Sequence, residues 1–330
     1  MEVEGLTLVD LFSGCGGLGL GLHESGFHTV LANELHPDPA STYVHNLMPE
    51  NPEDMLVGPI QNQLSRVRLS KWKSEAKYDV DCLAGGPPCQ GFSMAGKGDP
   101  NDPRNQLFKE YLRVVGEVMP KTIIFENVPG FANRYGFHLR DKLHKYLEKK
   151  GYSVCSGMIT ASDYGVPQLR RRFIALGVRN DILDNRELDL PEPTFPKEKQ
   201  QRELTSESVI GDLDTYENRG GYGSGTIHGE WEYRTRAKGR FQHQMRCDSG
   251  RRERGVTWNT KISNHTDIVA KRMKKIISGE RDFIGTKLET AKLSQRALVK
   301  NEVPRITIVS IPDDYVHYNP RLPRTLSVRE

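Results

Sequence analysis

The first 180 residues alternate short apolar runs with segments whose apolar side chains recur every three or four positions. The apolar runs predict buried strands, and the helical spacing predicts helices between them. A chain that alternates in this way is typical of an α/β protein with a doubly wound, mostly parallel, Rossmann-like sheet. The predicted strands are Leu6–Phe12, Thr29–Asn33, Tyr78–Ala84, Lys121–Phe125, Ser153–Ala161 and Arg172–Val178, and the predicted helices include Ala40–Asn46 and Asn105–Met119.

This regular pattern ends at a proline-rich stretch that contains Pro191, Pro193 and Pro196. Such a stretch is stiff and is typical of a linker. We therefore predict a first domain over residues 1–195, a smaller, loop-rich domain over 196–320, and a final segment, 321–330, that returns to the first domain. Within the smaller domain the sequence indicates a helix over Thr266–Ser278 and short strands around Ile306–Ile311.

Composition excludes several classes of protein. A chain of 330 residues with 36% hydrophobic content can bury one large core and a smaller module. No run of eighteen apolar residues occurs, and the Met-Glu-Val-Glu start lacks an export signal, so we predict a cytoplasmic protein. The five cysteines form no Cys-x-x-Cys pair, which argues against disulfides and against a structural zinc site.

Basic charge is concentrated in the second part of the chain. The net charge of the whole chain is +4, but residues 1–200 carry 23 basic and 26 acidic side chains, whereas residues 201–330 carry 24 and 17. Eight of these arginines and lysines lie between Arg234 and Arg254, close to Trp231, Tyr233 and Phe241. Cationic and aromatic side chains together suit a nucleic acid, although a solvated basic loop would have the same composition.

A glycine turn follows the first predicted strand. Gly14, Gly16 and Gly19 fit the pattern Gly-x-Gly-x-x-Gly, which lets the backbone approach a nucleotide-like ligand. Glu34 closes the next strand, where its carboxylate can accept hydrogen bonds from ribose hydroxyls. The pattern serves both nicotinamide and S-adenosylmethionine enzymes, and a turn that only packs a helix on a strand is a third interpretation.

Cys89 lies in a loop that follows another predicted strand, in the stretch Gly86-Pro-Pro-Cys-Gln-Gly-Phe-Ser93. Pro87 and Pro88 restrict the backbone before the thiol, as a fixed nucleophile requires. A cysteine that only fills space is the alternative. The glycines and prolines from Gly91 to Pro103 predict a loop that closes over a substrate.

Two further polar groups follow predicted strands. Glu126 follows the strand that ends at Phe125 and is a candidate acid or base, with an exposed turn residue as the alternative. Gln168, Arg170 and Arg172 alternate, so they share one face of an emerging strand, where arginines suit a phosphate or a developing anion.

Taken together, these blocks resemble the DNA (cytosine-5)-methyltransferase family of restriction-modification systems. The family's ordered motifs are present as Asp10-Leu-Phe-Ser-Gly-Cys-Gly-Gly17, Gly86-Pro-Pro-Cys-Gln-Gly-Phe-Ser93, Phe125-Glu-Asn-Val128, Asp163-Tyr-Gly-Val-Pro-Gln168, Gln168-Leu-Arg-Arg-Arg172 and Arg324-Thr-Leu-Ser-Val-Arg-Glu330. The resemblance implies an S-adenosylmethionine-dependent enzyme that methylates a flipped-out cytosine in double-stranded DNA, in a bacterial cytoplasm and near the nucleoid.

The same resemblance implies roles for individual residues. Cys89 would be the nucleophile, Glu126 would contact the cytosine ring nitrogen, and Arg170 would support the substrate, with Gln90 and Asn127 beside them. The expected cofactor-binding residues, with Glu34 on the ribose and with Phe12 and Leu107 on the adenine, are Phe12, Ser13, Gly14, Gly16, Gly17, Glu34, Ile60, Pro87 and Leu107. No metal is expected.

The chain departs from the family pattern at two places. Pro59 stands where the family usually has an acidic residue that touches the adenine amino group, and no Gly-Asn-containing last block precedes Glu330. We therefore expect either a truncated chain or a second polypeptide that supplies the last block. A tRNA cytosine methyltransferase and a partner-dependent DNA-binding subunit are the alternative functions. A dehydrogenase would leave the Cys89 and Glu126 motifs without a role.

Overall fold

A computed structural model of the chain describes residues 5–75, 79–88, 105–132, 138–184, 186–213, 231–232, 236–247, 256–257, 267–278, 296–304, 315–321, 323 and 325–326. The chain folds into two compact units, one of Met1–Ile159 with Arg171–Glu192 and one of Thr160–Arg170 with Pro193–Glu330. The predicted domains, with boundaries at residues 195 and 320 and a returning segment 321–330, stay a prediction, because this division is geometric and assigns no function.

The first unit is built on a seven-stranded sheet, as far as the described residues show. Its strands are β1 (Leu6–Leu11), β2 (Phe27–Glu34), β3 (Met55–Val57), β4 (Cys82–Gly85), β5 (Thr122–Asn127), β6 (Tyr152–Thr160) and β7 (Arg171–Arg179). They follow the order β3-β2-β1-β4-β5-β7-β6. Neighbours from β3 to β5 pair in parallel, and β5 pairs with β7 in antiparallel fashion. The predicted α/β, mostly parallel sheet is therefore confirmed.

Helices connect these strands. Their bounds are α1 (Gly17–Glu24), α2 (Pro37–Leu47), α3 (Ile60–Gln63), α4 (Arg66–Glu75), α5 (Asn105–Val118), α6 (Leu139–Lys149) and α7 (Asn180–Leu183). Short 3-10 turns span Pro52–Asp54, Pro129–Phe131 and Ala161–Tyr164. The helices predicted at Ala40–Asn46 and Asn105–Met119 correspond to α2 and α5, so helical spacing of apolar residues identified both.

The core of the first unit is aromatic at its centre. Phe125 on β5 lies in edge or tilted contact with Phe108 and Tyr111 of α5, with Phe131 and with Phe173 of β7. All five side chains are buried. Aromatic contacts of this geometry stabilise a core by about 0.5–1.5 kcal/mol each beyond the burial of their area. Because Phe125 directly precedes Glu126, this packing fixes the strand end on which the carboxylate stands.

Strand register places several loops at one edge of the sheet. Leu11 of β1 pairs with Asn33 of β2 and with Gly85 of β4, and Gly85 pairs with Phe125 of β5. The loops that follow these residues therefore leave the sheet side by side. The carboxyl edge of a parallel sheet is where α/β proteins bind ligands.

At the opposite edge, Asp81 ties three strands together. Its carboxylate accepts hydrogen bonds from the Thr7 amide (2.8 Å) and hydroxyl (2.9 Å), and it pairs with Lys121 Nζ at 2.6 Å. Burial acts to raise the pKa of Asp81, but the hydrogen bonds from Lys121 and Thr7 outweigh it and lower the pKa below its usual range. Asp81 therefore stabilises the fold far from the ligand edge.

The second unit has shorter elements. Its helices are α8 (Lys197–Glu203), α9 (Ser206–Ile210), α10 (Arg240–Cys247) and α11 (Asp267–Ile277), and its strand pairs are β8 (Trp231–Glu232) with β9 (Val256–Thr257) and β10 (Arg296–Ala297) with β11 (Tyr315–Val316). The predicted helix Thr266–Ser278 corresponds to α11. The predicted strands around Ile306–Ile311 lie outside the described residues. Over the described part of the chain, no helix is both long enough and apolar enough to cross a membrane.

Candidate active site

The glycine turn lies between β1 and α1 and opens toward the ligand edge of the sheet. Gly14 and Gly16 have φ angles of +57° and +96°, in the left-handed region that favours glycine. A Cβ atom at Gly14 or Gly17 would meet no other atom within 4 Å. At Gly16, a Cβ atom would stand only 2.9 Å from Leu47 and 3.0 Å from Tyr43. The turn is therefore packed on one side and open on the other.

The end of β2 fixes this turn. The Gly14 amide donates to Glu34 Oε2 at 2.9 Å, and the Ser13 amide donates to the Asn33 carbonyl at 3.1 Å. The other carboxylate oxygen of Glu34 accepts from the His36 amide at 3.0 Å. The structure thus brings Ser13, Gly14 and Glu34 together, through a bond from Gly14 to Glu34 that the sequence did not reveal, and their roles in cofactor binding stay predictions.

Asn33 joins the same edge to the next strand. Its side-chain amide donates to the carbonyls of Leu56 (2.6 Å) and Gly58 (3.1 Å). Ile60, which the sequence assigned to cofactor binding, begins α3 directly after Pro59 and is almost completely buried. Ile60 therefore belongs to the core of the first unit, and its predicted role in cofactor binding stays a prediction.

Apolar side chains accompany the polar groups of the glycine turn. Phe12 adopts a positive φ of 56°, which is strained for a residue other than glycine, and it packs partly buried against the core, as Leu107 does. Leu35, which was not predicted, is 53% exposed beside Glu34, and Val57 is exposed at the end of β3. The signal that could have identified Leu35 is its position directly after the acidic residue that ends β2.

A second part of the site is formed where β4 and β5 end. The Asn127 side-chain amide donates to the Pro87 carbonyl at 2.9 Å, and Asn127 Oδ1 accepts from the Val128 amide at 2.9 Å. A Cβ atom at Gly86 would stand 3.0 Å from Glu126 Oε2. The loop after β4 is therefore bonded to the end of β5, next to the Glu126 carboxylate. Cys89 and Gln90, like the predicted closing loop Gly91–Pro103, lie outside the described residues.

Glu126 pairs with an arginine on the neighbouring strand. Arg172 Nε lies 2.6 Å from Glu126 Oε1, and the two side chains are 21% and 32% exposed. The sequence had favoured Arg170, which belongs to the second unit and whose backbone carbonyl accepts from the Ala161 amide at 2.9 Å. The role of Arg170 stays a prediction. The feature of the sequence that pointed to Arg172 is the alternation of Gln168, Arg170 and Arg172, which places the three side chains on one face of the predicted strand.

The second unit contains a cavity of about 730 Å³. Its lining mixes apolar and polar side chains: Phe195 and Phe241 contribute aromatic surface, and Lys199 and Arg240 also line it. Lys199 Nζ lies 4.7 Å from the centre of the Phe195 ring, which is a cation–π contact. Within the described residues, no group of three or more His, Cys, Asp or Glu side chains could hold a metal ion.

The fold matches that of a solved structure. A crystal structure described as a prophage-encoded DNA modification methyltransferase from E. coli covers 98% of this chain with a TM-score of 0.68, and the match includes 86% of that structure. Because the sequence identity is 23%, this similarity concerns the fold alone. The chain therefore shares the overall fold of that structure.

The chain belongs to the C-5 cytosine-specific DNA methylase family, whose model matches residues 6–330. The predicted resemblance is thereby confirmed. The chain is 32% identical to the Type II methyltransferase M.DdeI of Desulfomicrobium norvegicum over 83% of this chain and 62% of that protein. It is 40% identical to the Type II methyltransferase M1.HphI of Haemophilus parahaemolyticus over 57% of this chain and 49% of that protein. The matched regions thus cover less than two thirds of these relatives.

Proposed function

We propose that this chain transfers a methyl group from S-adenosylmethionine to C5 of a cytosine in double-stranded DNA. The observation that carries the proposal is the junction of β4 and β5. There, Asn127 bonds the loop that leads to Cys89, and the Glu126 carboxylate lies against Gly86 with Arg172 beside it. Addition of a thiolate to a pyrimidine ring is easier when an acid can protonate the ring at the same time. The Glu126 carboxyl group, next to the loop that leads to Cys89, is suited to that role.

The glycine turn fits S-adenosylmethionine. The space over Gly14 and Gly17 is open, and Glu34 is fixed at the end of β2 where it can accept hydrogen bonds from a ribose. Phe12, Leu35 and Leu107 offer apolar surface to an adenine ring, and Ser13, Gly16, Ile60 and Pro87 complete the assigned set. When bound, the cofactor supplies an electrophilic methyl group. Pro59 offers the adenine amino group no carboxylate.

The protein's own residues must make C5 of cytosine reactive, because this carbon is a weak nucleophile. The Cys89 thiolate adds to C6 of the ring, while Glu126 delivers a proton to N3 and so neutralises the developing charge. Arg172 holds the Glu126 carboxyl in place, and Asn127 holds the loop that carries Cys89. After C5 has been methylated, the C5 proton passes to water, the Cys89 thiolate leaves C6, and N3 returns its proton to Glu126, which restores the aromatic ring.

A cytosine can reach Cys89 only outside the helical stack, so the base must be flipped out of the duplex. The basic excess of residues 201–330 supports the assignment of residues 196–320 to DNA binding and target recognition. The description of the family, C-5 cytosine-specific DNA methylase, supports DNA as the substrate. A second polypeptide and a location near the bacterial nucleoid stay predictions.

Trapping of the covalent intermediate tests the proposal. In DNA that carries 5-fluorocytosine at the target, no proton can leave C5 after methyl transfer, so the Cys89 adduct should persist on a denaturing gel when S-adenosylmethionine is present. Cys89→Ser should abolish the adduct. Cys155→Ser, a change of a half-buried thiol on β6, should leave it intact. An adduct that survives Cys89→Ser, or a wild-type protein that forms none, would refute the mechanism.

A further inference from the structure

A buried polar pair lies beneath the glycine turn. Asp10 of β1 is 1% exposed, and Tyr43 of α2 is completely buried. The Tyr43 hydroxyl donates to Asp10 Oδ2 at 3.0 Å and lies 3.0 Å from the Thr29 hydroxyl of β2. These three side chains connect two strands with α2, although 33 residues separate Asp10 from Tyr43.

The first turns of α1 rest on this pair. A Cβ atom at Gly19 would stand 2.7 Å from both Asp10 Oδ2 and the Tyr43 hydroxyl, and a Cβ atom at Gly16 would stand 3.0 Å from the Tyr43 ring. Gly16 also accepts the hydrogen bond from the Leu20 amide that begins the helix, at 2.7 Å. The start of α1 therefore packs directly on the Asp10–Tyr43 pair.

Burial of this pair is costly for folding. Burial raises the pKa of Asp10 to about 7, and the hydrogen bond from Tyr43 acts in the opposite direction. An apolar pair of similar volume would fill the same space without the cost of burying a polar carboxyl group. A gain in stability therefore does not account for the Asp10–Tyr43 hydrogen bond. The element that packs on this pair is the glycine turn, which suggests a role in ligand binding.

We propose that Tyr43 and Asp10 are positioning residues for the cofactor. They hold the backbone of Gly14–Gly17 at the distance from Glu34 that S-adenosylmethionine requires, and they do not touch the cofactor themselves. The inference rests on the proposed function, because it takes S-adenosylmethionine as the ligand of the turn. Neither residue belongs to the set assigned to the cofactor from the sequence.

Calorimetric titration of the full chain with S-adenosylmethionine tests the inference. Tyr43→Phe removes only the hydroxyl group, and we expect the Kd for S-adenosylmethionine to rise roughly five- to tenfold, which corresponds to the loss of one ordinary hydrogen bond. In steady-state assays KM for S-adenosylmethionine should rise, while kcat and KM for DNA stay unchanged. Asp10→Asn keeps an acceptor oxygen for Tyr43 and should restrict the rise in Kd to about twofold.

Thr29→Val is the matched control, because it removes the other partner of the Tyr43 hydroxyl and leaves Asp10 in place. It should lower Tm about as much as Tyr43→Phe does without changing Kd. An unchanged Kd in Tyr43→Phe, or a Kd that rises equally in Thr29→Val, would overturn the inference while the proposed function stands. A wild-type chain that binds no S-adenosylmethionine would overturn both.

Discussion

Substitution of Asn127 should both destabilise the protein and slow formation of the adduct. In Asn127→Ala, the Pro87 carbonyl and the Val128 amide lose partners at 2.9 Å inside a buried part of the fold. Each buried group left without a partner costs about 1–3 kcal/mol. Partial access of water to the loop reduces the total, so we expect the free energy of unfolding to fall by about 2–4 kcal/mol.

The effect on reactivity follows from the same two bonds. The hydrogen bond from Asn127 to the Pro87 carbonyl joins the end of β5 to the loop after β4. Cys89 follows Pro87 by two residues in that loop. Without that link the thiol samples more positions, and a misplacement of about 1 Å can cost on the order of a hundredfold in rate. We therefore expect trapping on 5-fluorocytosine DNA to slow by roughly ten- to a hundredfold at saturating S-adenosylmethionine.

Urea denaturation and the trapping time course measure the two effects separately. Asn180→Ala is the matched control, because Asn180 is an exposed asparagine. Among the described residues, its side chain accepts one hydrogen bond, from the Ser153 hydroxyl at 2.9 Å. It should change stability by less than about 0.5 kcal/mol and leave trapping unchanged. If Asn127→Ala unfolds at the wild-type urea concentration and traps DNA at the wild-type rate, the link between the two loops has no function.

Three further predictions follow from the described contacts. Arg172→Ala should slow adduct formation roughly tenfold or more, because Glu126 loses the cation that orients it, and Arg172→Lys should restore part of the rate; equal trapping rates in all three proteins would contradict this role. Asp81 has a lowered pKa in the folded state, so its stabilisation is present above a pH of about 4 and is lost as pH falls through the folded pKa. The difference in urea midpoint between wild type and Asp81→Asn should therefore shrink below that pH, and a constant difference would refute the assignment. Gly16→Ala should weaken calorimetric binding of S-adenosylmethionine roughly tenfold or more, because a residue with a Cβ atom is strained at a φ of +96° and that atom would stand 2.9 Å from a Leu47 methyl group, which would have to shift. Wild-type affinity would show that the turn can move without loss.

Patterns of hydrophobic and polar residues predicted most strands and helices of the sheet domain. They did not predict the side-chain contacts between those elements. Apolar runs identified six of the seven strands of the described sheet, but they missed β3, which has only three residues. The alternation of Gln168 and the following arginines placed Arg172 on a shared face. Alternation could not show which arginine reaches Glu126, because that depends on the antiparallel register of β5 with β7. Local patterns likewise cannot reveal the hydrogen bond between Asp10 and Tyr43.

The path of the chain through the two units limits how the protein can be divided. The chain leaves the first unit after Ile159, returns at Arg171 and leaves again after Glu192. A fragment that stops at Gly165 would lack β7, and with it Arg172 and the strand that covers one side of β5. A minimal cofactor-binding fragment, or a split version that is reassembled from two halves, should therefore keep residues 5–192 on one polypeptide.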